Sequence, residues 1–117
     1  MSRSAMGGVC PLLEFLYTVK PTRPAMLREG PTEEETSILA QHAAYIERLA
    51  QCGVVELAGR TQNSDETAFG IVVFCAESES AAKQIMHDDP AVQAGVMSAR
   101  LFPYRVAFRG TEPPSKG

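Results

Sequence analysis

One histidine, His42, occupies a position where the surrounding pattern favours an apolar side chain. Ile38, Tyr45 and Leu49 recur at helical spacing, and His42 falls in the same stripe. A titratable ring on a buried helix face must find a hydrogen-bond partner, or its desolvation destabilises the fold. A free imidazole titrates at about pH 6.5, so it can accept and return protons at neutral pH. The pattern indicates either a general base or a core histidine held by one hydrogen bond.

Two carboxylates downstream, in the segment Asp88-Asp89-Pro90, could be the partner of the imidazole. A carboxylate on one ring nitrogen would fix the tautomer and stabilise the imidazolium. Aspartate before proline is also a common N-cap of a helical turn, which needs no histidine. The two roles are compatible because a carboxylate has several lone pairs.

Other side chains could complete a binding site. Arg23 and Arg28 lie in the segment 21–31, which we predict to be a loop long enough to act as a lid. Their guanidinium groups could hold a carboxylate or phenolate, and a solvated loop without a role fits equally well. Tyr45, one turn from His42, could line a pocket or fill the core. The sequence contains no metal-ligand spacing and no glycine-rich phosphate loop, so we expect neither a metal nor a cofactor.

These residues must be positioned by elements in the order strand, helix, strand, strand, helix, strand. The predicted strands are residues 13–20, 54–62, 69–75 and 97–108. Thr32 and Glu35 form a capping box at the start of the first helix, and Gly53 ends it. The second helix begins at Ser78 and ends before Pro90. Two successive strand-helix-strand halves predict a ferredoxin-like α+β domain, a four-stranded antiparallel sheet with both helices on one face.

Two helices cover only one face of such a sheet. The third strand is nevertheless apolar on both faces, with Ile71 and Val73 on one face and Val72 and Phe74 on the other. An uncovered apolar face usually marks an interface. We therefore expect a homodimer packed sheet to sheet.

Length and composition narrow the class of protein. The 117 residues fit one domain, residues 12–108, between flexible tails at 1–11 and 109–117. A net charge of −3, with both signs interspersed, argues against nucleic acid or an anionic membrane as a partner. No apolar run approaches the roughly 20 residues of a membrane helix. Three widely spaced cysteines favour a reducing cytoplasm over a disulfide framework or a zinc site.

Several segments, taken in order, resemble the YCII-related (YciI-like) family. The sequence QHAAYIERL at 41–49, followed by GVVELAG at 53–59, is similar to the histidine-containing helix and next strand of that family. The sequence DDPAVQAGV at 88–96 resembles its Asp-Pro segment, and LFPYRV at 101–106 resembles its final strand. The resemblance covers residues 13–108.

The resemblance implies a dimeric α/β barrel of ferredoxin-like protomers, with a pocket between helices and sheet. It also implies a catalytic His-Asp pair, which in this chain would be His42 and Asp89. The better understood relatives act on small ring compounds such as hydroquinones and lactones, by proton transfer and elimination. The long segment that carries Arg23 and Arg28 departs from the family pattern.

We therefore expect a cytoplasmic homodimer that binds a small cyclic or anionic metabolite and performs cofactor-independent acid-base chemistry of the lyase or isomerase type. His42 would carry the proton, Asp89 would orient it, and Arg23 or Arg28 would steer a ligand beside Tyr45. One alternative is a non-catalytic module that binds a ligand or a partner in the same pocket. Another, on fold analogy alone, is a cofactor-free monooxygenase or a haem protein.

Overall fold

The computed structural model describes residues 12–111. Its elements in chain order are β1 (Leu13–Pro21), α1 (Ala25–Glu29), α2 (Glu33–Gln51), β2 (Val55–Arg60), β3 (Gly70–Ala76), α3 (Glu79–His87), α4 (Pro90–Gln93) and β4 (Met97–Tyr104). The four strands form one antiparallel sheet in the order β2-β3-β1-β4. The predicted ferredoxin-like α+β fold is confirmed.

The core lies on one side of the sheet, which we call the inner face. Phe15, Tyr17 and Val19 alternate along β1 as buried side chains. Tyr17 packs edge to face on Phe74 of β3, with ring centroids 5.6 Å apart. Apolar residues of α2 and α3 cover these strands, including Ile46 and, in the same cluster, Ala82 and Met86. Both long helices therefore lie on the inner face, as predicted.

The start of α2 has the predicted capping box. The amide of Glu35 donates to Thr32 Oγ1 at 3.1 Å, and the amide of Thr32 donates to Glu35 Oε1 at 2.9 Å. Two amides that would otherwise lack partners at the helix start are satisfied in this way. Just beyond the helix end, Gly53 has a φ of 83°, the left-handed conformation that glycine adopts without strain.

Three predicted boundaries need correction. The segment 21–31 is not a loop throughout, because α1 forms within it and buries Met26 against the domain. Strand β2 ends at Arg60 rather than near residue 62, since Arg60 already pairs with Gly70, the first residue of β3. Strand β4 ends at Tyr104 rather than at residue 108. Tyr104 pairs with Glu14, and β1 begins only one residue earlier.

The opposite side of the sheet, which we call the outer face, carries an apolar row across all four strands. The register aligns Leu57 with Val73, Val73 with Leu16, and Leu16 with Phe102. Leu57 and Phe102 are 53% and 36% exposed. The prediction that β3 is apolar on both faces is confirmed.

The two cysteines within residues 12–111 differ in exposure. Cys52 is exposed and free, whereas Cys75 is buried. The predicted tail 1–11 and residues 112–117 of the second tail lie outside the described residues. Arg109 forms an ion pair with Glu56, at 2.5 Å between Nη2 and Oε1. Within residues 12–111, no helix is both long enough and apolar enough to span a membrane.

Candidate active site

Asp89 lies at the junction between α3 and α4 and is fully buried. It is the N-cap of α4, because its Oδ1 accepts a hydrogen bond from the amide of Ala91 at 3.0 Å. Pro90 occupies the first helical position, where its missing amide hydrogen has no consequence. The capping role that the Asp-Pro sequence indicates is therefore present.

The same carboxylate contacts His42. The distances from His42 Nδ1 to Asp89 Oδ1 and Oδ2 are 2.8 Å and 2.9 Å. Helix α2 brings the imidazole to this point through the helical stripe that the sequence analysis identified. A carboxylate acceptor at Nδ1 favours the ring form that carries a proton there. The other nitrogen, Nε2, is then free to accept a proton.

A third side chain, Tyr17, completes the cluster, and sequence reasoning did not assign it a role. Its hydroxyl donates to Asp89 Oδ2 at 2.7 Å, and the whole residue is buried. The signal available was its position among the inward-facing residues of β1. A buried tyrosine hydroxyl needs a hydrogen-bond partner, so Tyr17 could have been expected to face a polar group.

The electrostatics of the cluster keep Asp89 ionised. Burial raises the pKa of this carboxyl, but hydrogen bonds from His42, Tyr17 and the Ala91 amide outweigh it and hold the pKa below its ordinary value. Burial, together with the neighbouring Asp89 carboxylate, raises the pKa of the Tyr17 phenol. Tyr17 is therefore a neutral donor and Asp89 an anionic acceptor at neutral pH. This arrangement can stabilise an imidazolium formed at His42.

His42 opens on a cleft of about 790 Å³ between α2 and the inner face. The walls are mostly apolar, with Val19 and Val72 from the sheet and Leu39 and Ile46 from the helix. Met26 of α1 also lines this cleft. The imidazole is 20% exposed. A small molecule in the cleft could therefore reach the ring.

The structure does not bring the other predicted residues into this cleft. Arg23 donates to both oxygens of Glu35, from Nε at 2.9 Å and Nη2 at 2.7 Å. This pairing lowers the pKa of Glu35 to about 2. Arg28 is exposed on α1, and neither arginine is among the residues that line the cleft.

Tyr45 lies on another part of α2. Its hydroxyl donates to the carbonyl oxygen of Ile85 at 2.7 Å, and burial, with the Asp88 and Asp89 carboxylates, raises its pKa to about 12. It lines a separate groove beside α4 rather than the cleft at His42. In the described part of the chain, no three histidine, cysteine or carboxylate side chains are grouped so that they could hold a metal ion.

Comparison with protein-family models gives a match to the YCII-related domain over residues 15–103. The chain belongs to the YCII-related domain family. The resemblance identified from the sequence is thus confirmed. A search of curated proteins finds no match.

Among solved structures, this YCII-related protein is similar to a chain described as 5-chloro-2-hydroxyhydroquinone dehydrochlorinase (TftG) from Burkholderia phenoliruptrix AC1100, in complex with 2,5-dihydroxybenzoquinone. The TM-score is 0.60 at 21% identity, covering 80% of this chain and 94% of that chain. At this identity the likeness establishes a shared fold.

Proposed function

We propose that this YCII-related protein is an acid-base enzyme of the lyase or isomerase type that acts on a small cyclic compound. The observation that carries the proposal is the placement of His42. One of its nitrogens contacts a buried, ionised carboxylate, and its ring borders an apolar cleft large enough for a single-ring compound. TftG is a dehydrochlorinase in complex with 2,5-dihydroxybenzoquinone, which supports a ring compound as substrate.

In the proposed mechanism, Nε2 of His42 accepts a proton from a carbon or hydroxyl group of the substrate. The electron pair released from that bond forms a new double bond in the substrate. In an elimination, the leaving group departs with its own bonding pair, and the imidazolium later loses its proton to water. In an isomerisation, the imidazolium returns the proton to another atom of the substrate. Asp89 stabilises the imidazolium in both cases, and Tyr17 holds Asp89 in place.

The test compares the rate of substrate turnover by His42→Gln with that of the wild-type protein. A panel of substituted hydroquinones and lactones, followed by NMR, should give at least one substrate for the wild-type protein. General acid-base catalysis contributes about 10²–10⁴-fold in rate, so we expect His42→Gln to slow that substrate by at least about 100-fold. The matched control is His87→Gln, because the chain has two histidines and His87 is exposed at the end of α3.

Two outcomes would count against the proposal. If His42→Gln turned over substrate at the wild-type rate, His42 would not be the proton carrier. If panel compounds bound saturably to the wild-type protein without any turnover, the protein would be a non-catalytic binding module instead. Unfolding curves for both variants establish that they are folded.

We also propose that the protein is a homodimer in which two outer faces pack against each other. The apolar row from Leu57 to Phe102 supports this assembly, since its two ends are exposed in the single chain. Exposed apolar patches on a sheet face usually mark an interface. The cytoplasmic location stays a prediction.

A further inference from the structure

Arg60 is a cleft-lining cation that the sequence analysis did not single out. It ends β2 and pairs with Gly70 of β3. A Cβ atom built on Gly70 would lie 3.8 Å from Arg60 Cβ and 3.1 Å from Val19 Cγ2. The side chain of Arg60 therefore starts on the inner face, beside Gly70 and Val19, which also line the cleft.

The guanidinium of Arg60 makes few polar contacts with the described residues. Its hydrogen bond there runs from Nε to the carbonyl oxygen of Thr61, at a long 3.3 Å. No carboxylate of residues 12–111 lies within ion-pair distance of it, whereas Arg23 and Arg109 are each paired with a glutamate. Arginine offers five donors in a planar fork that matches a carboxylate or phenolate. Arg60 thus retains most of its donors for another group.

A second charged side chain lines the cleft, but it does not cancel the attraction of Arg60 for an anion. Glu47 also lines the cleft, on the α2 side, but it is exposed and not within ion-pair distance of Arg60. Arg60 is exposed as well, so water and salt screen both charges, and an anion gains most from direct contact with the guanidinium. The rest of the wall is mainly apolar, which favours burial of a ring.

We propose that Arg60 binds an anionic oxygen substituent, a carboxylate or an ionised hydroxyl, on the cyclic ligand whose ring lies beside His42. This inference rests on the proposed function, because it places the ligand in the same cleft. It assigns to Arg60 the ligand-steering role that the sequence analysis gave to Arg23 or Arg28. It also narrows the ligand class to ring compounds that carry a negative charge at neutral pH.

The test compares pairs of closely related ring compounds, of which one member is negatively charged at neutral pH and the other is neutral. One pair is 2,5-dihydroxybenzoate and 2,5-dihydroxybenzamide, and the other is 2,5-dihydroxybenzoquinone and its dimethyl ether. Dissociation constants are measured by NMR titration of the wild-type protein, Arg60→Ala, Arg60→Lys and Arg28→Ala. Arg28→Ala is the matched control, since this arginine is exposed and does not line the cleft.

We expect the wild-type protein to bind at least one charged compound about tenfold more tightly than its neutral partner, a difference of about 1.4 kcal/mol. Arg60→Ala should lose this preference without weakening the neutral compound, Arg60→Lys should retain part of it, and Arg28→Ala should retain all of it. The pair that shows the preference identifies the carboxylate or the ionised hydroxyl as the recognised group.

Three results would overturn the inference. They are an unchanged preference in Arg60→Ala, equal binding of charged and neutral compounds to the wild-type protein, and no binding of either charged compound. The proposed function is tested separately, because His42→Gln should keep the charge preference while losing turnover. If Arg60→Ala lost the charge preference and His42→Gln stayed fully active, the two proposals would separate. The anion site at Arg60 would be supported, and the catalytic role of His42 would be contradicted.

Discussion

Asp89 is the residue on which the candidate site depends. It accepts hydrogen bonds from Tyr17 on β1, from His42 on α2 and from the amide of Ala91 on α4. Because an isolated buried carboxylate is strongly unfavourable, these donors are what allow it to stay ionised inside the domain. Its capping role was predictable from Asp-Pro alone. The sequence offered two candidate carboxylates as partners of His42, and the family resemblance singled out Asp89. Tyr17 lies 72 residues away in sequence, and no local pattern shows that distant inward-facing groups meet.

We expect Tyr17→Phe to lower the free energy of unfolding by about 1.5–3 kcal/mol, because it removes a hydrogen bond to a buried charged group. Tyr45→Phe is the matched control. Its hydroxyl donates to the neutral carbonyl of Ile85, so we expect a loss of about 1 kcal/mol. Urea unfolding at pH 7 measures both changes. Equal losses in the two variants would contradict a special role for Tyr17.

The loss of stability at acidic pH gives a second test of the hydrogen bond between Tyr17 and Asp89. The folded-state pKa of Asp89 is below its ordinary value, so its ionised form contributes stability above about pH 3.9, the usual unfolded-state pKa. That contribution is lost as the pH falls through the lower folded-state pKa. Without the Tyr17 donor, the folded-state pKa of Asp89 rises. Acid unfolding of Tyr17→Phe should therefore begin at a higher pH than that of Tyr45→Phe. Acid unfolding of both variants at the same pH would contradict this expectation.

At the scale of elements, the sequence predicted regular structure well wherever a local signal was strong. The capping box of α2 and the serine cap of α3 are both present. The segment 21–31 was harder to predict, because its prolines and glycine favour a loop while a single buried residue, Met26, anchors a short helix. The ion pair of Arg23 with Glu35 could not be predicted either, since Glu35 already had a complete local role in the capping box.

The start of α2 offers a test at this scale. We expect Thr32→Ala to reduce stability by about 1 kcal/mol, because the amide of Glu35 loses its side-chain acceptor. Thr36→Ala is the control, since Thr36 is exposed within α2, where alanine is the better helix former. Thermal unfolding compares the two. A Thr36→Ala variant as destabilised as Thr32→Ala would mean that the cap contributes nothing specific.

At the scale of the whole molecule, the outer face is apolar, and the single chain leaves part of it exposed to solvent. Its apolar row runs through Leu57, Val73, Leu16 and Phe102, in register across the sheet. The sequence predicted this face because β3 is apolar on both of its faces. It could not predict that side chains from all four strands fall in one row, since that depends on the strand register.

We expect the wild-type protein to sediment as a dimer and Phe102→Asp to sediment as a monomer, because a charge in a packed apolar interface would be desolvated. Ala40→Asp is the control, since Ala40 is exposed on α2, on the opposite side of the sheet from the outer face. Sedimentation velocity measures both variants. A monomeric wild-type protein, or a dimeric Phe102→Asp, would contradict the proposed assembly.

The three donors to Asp89 also have a consequence for how the domain folds. His42 and Tyr17 are 47 and 72 residues away from Asp89 in sequence, so each contact closes a long loop. Such contacts form only once both strand-helix-strand halves have docked, because the loop-closure entropy must first be offset by packing. The candidate active site is therefore a feature of the complete domain alone, and an NMR signal from the Nδ1 proton of His42 would report on global folding.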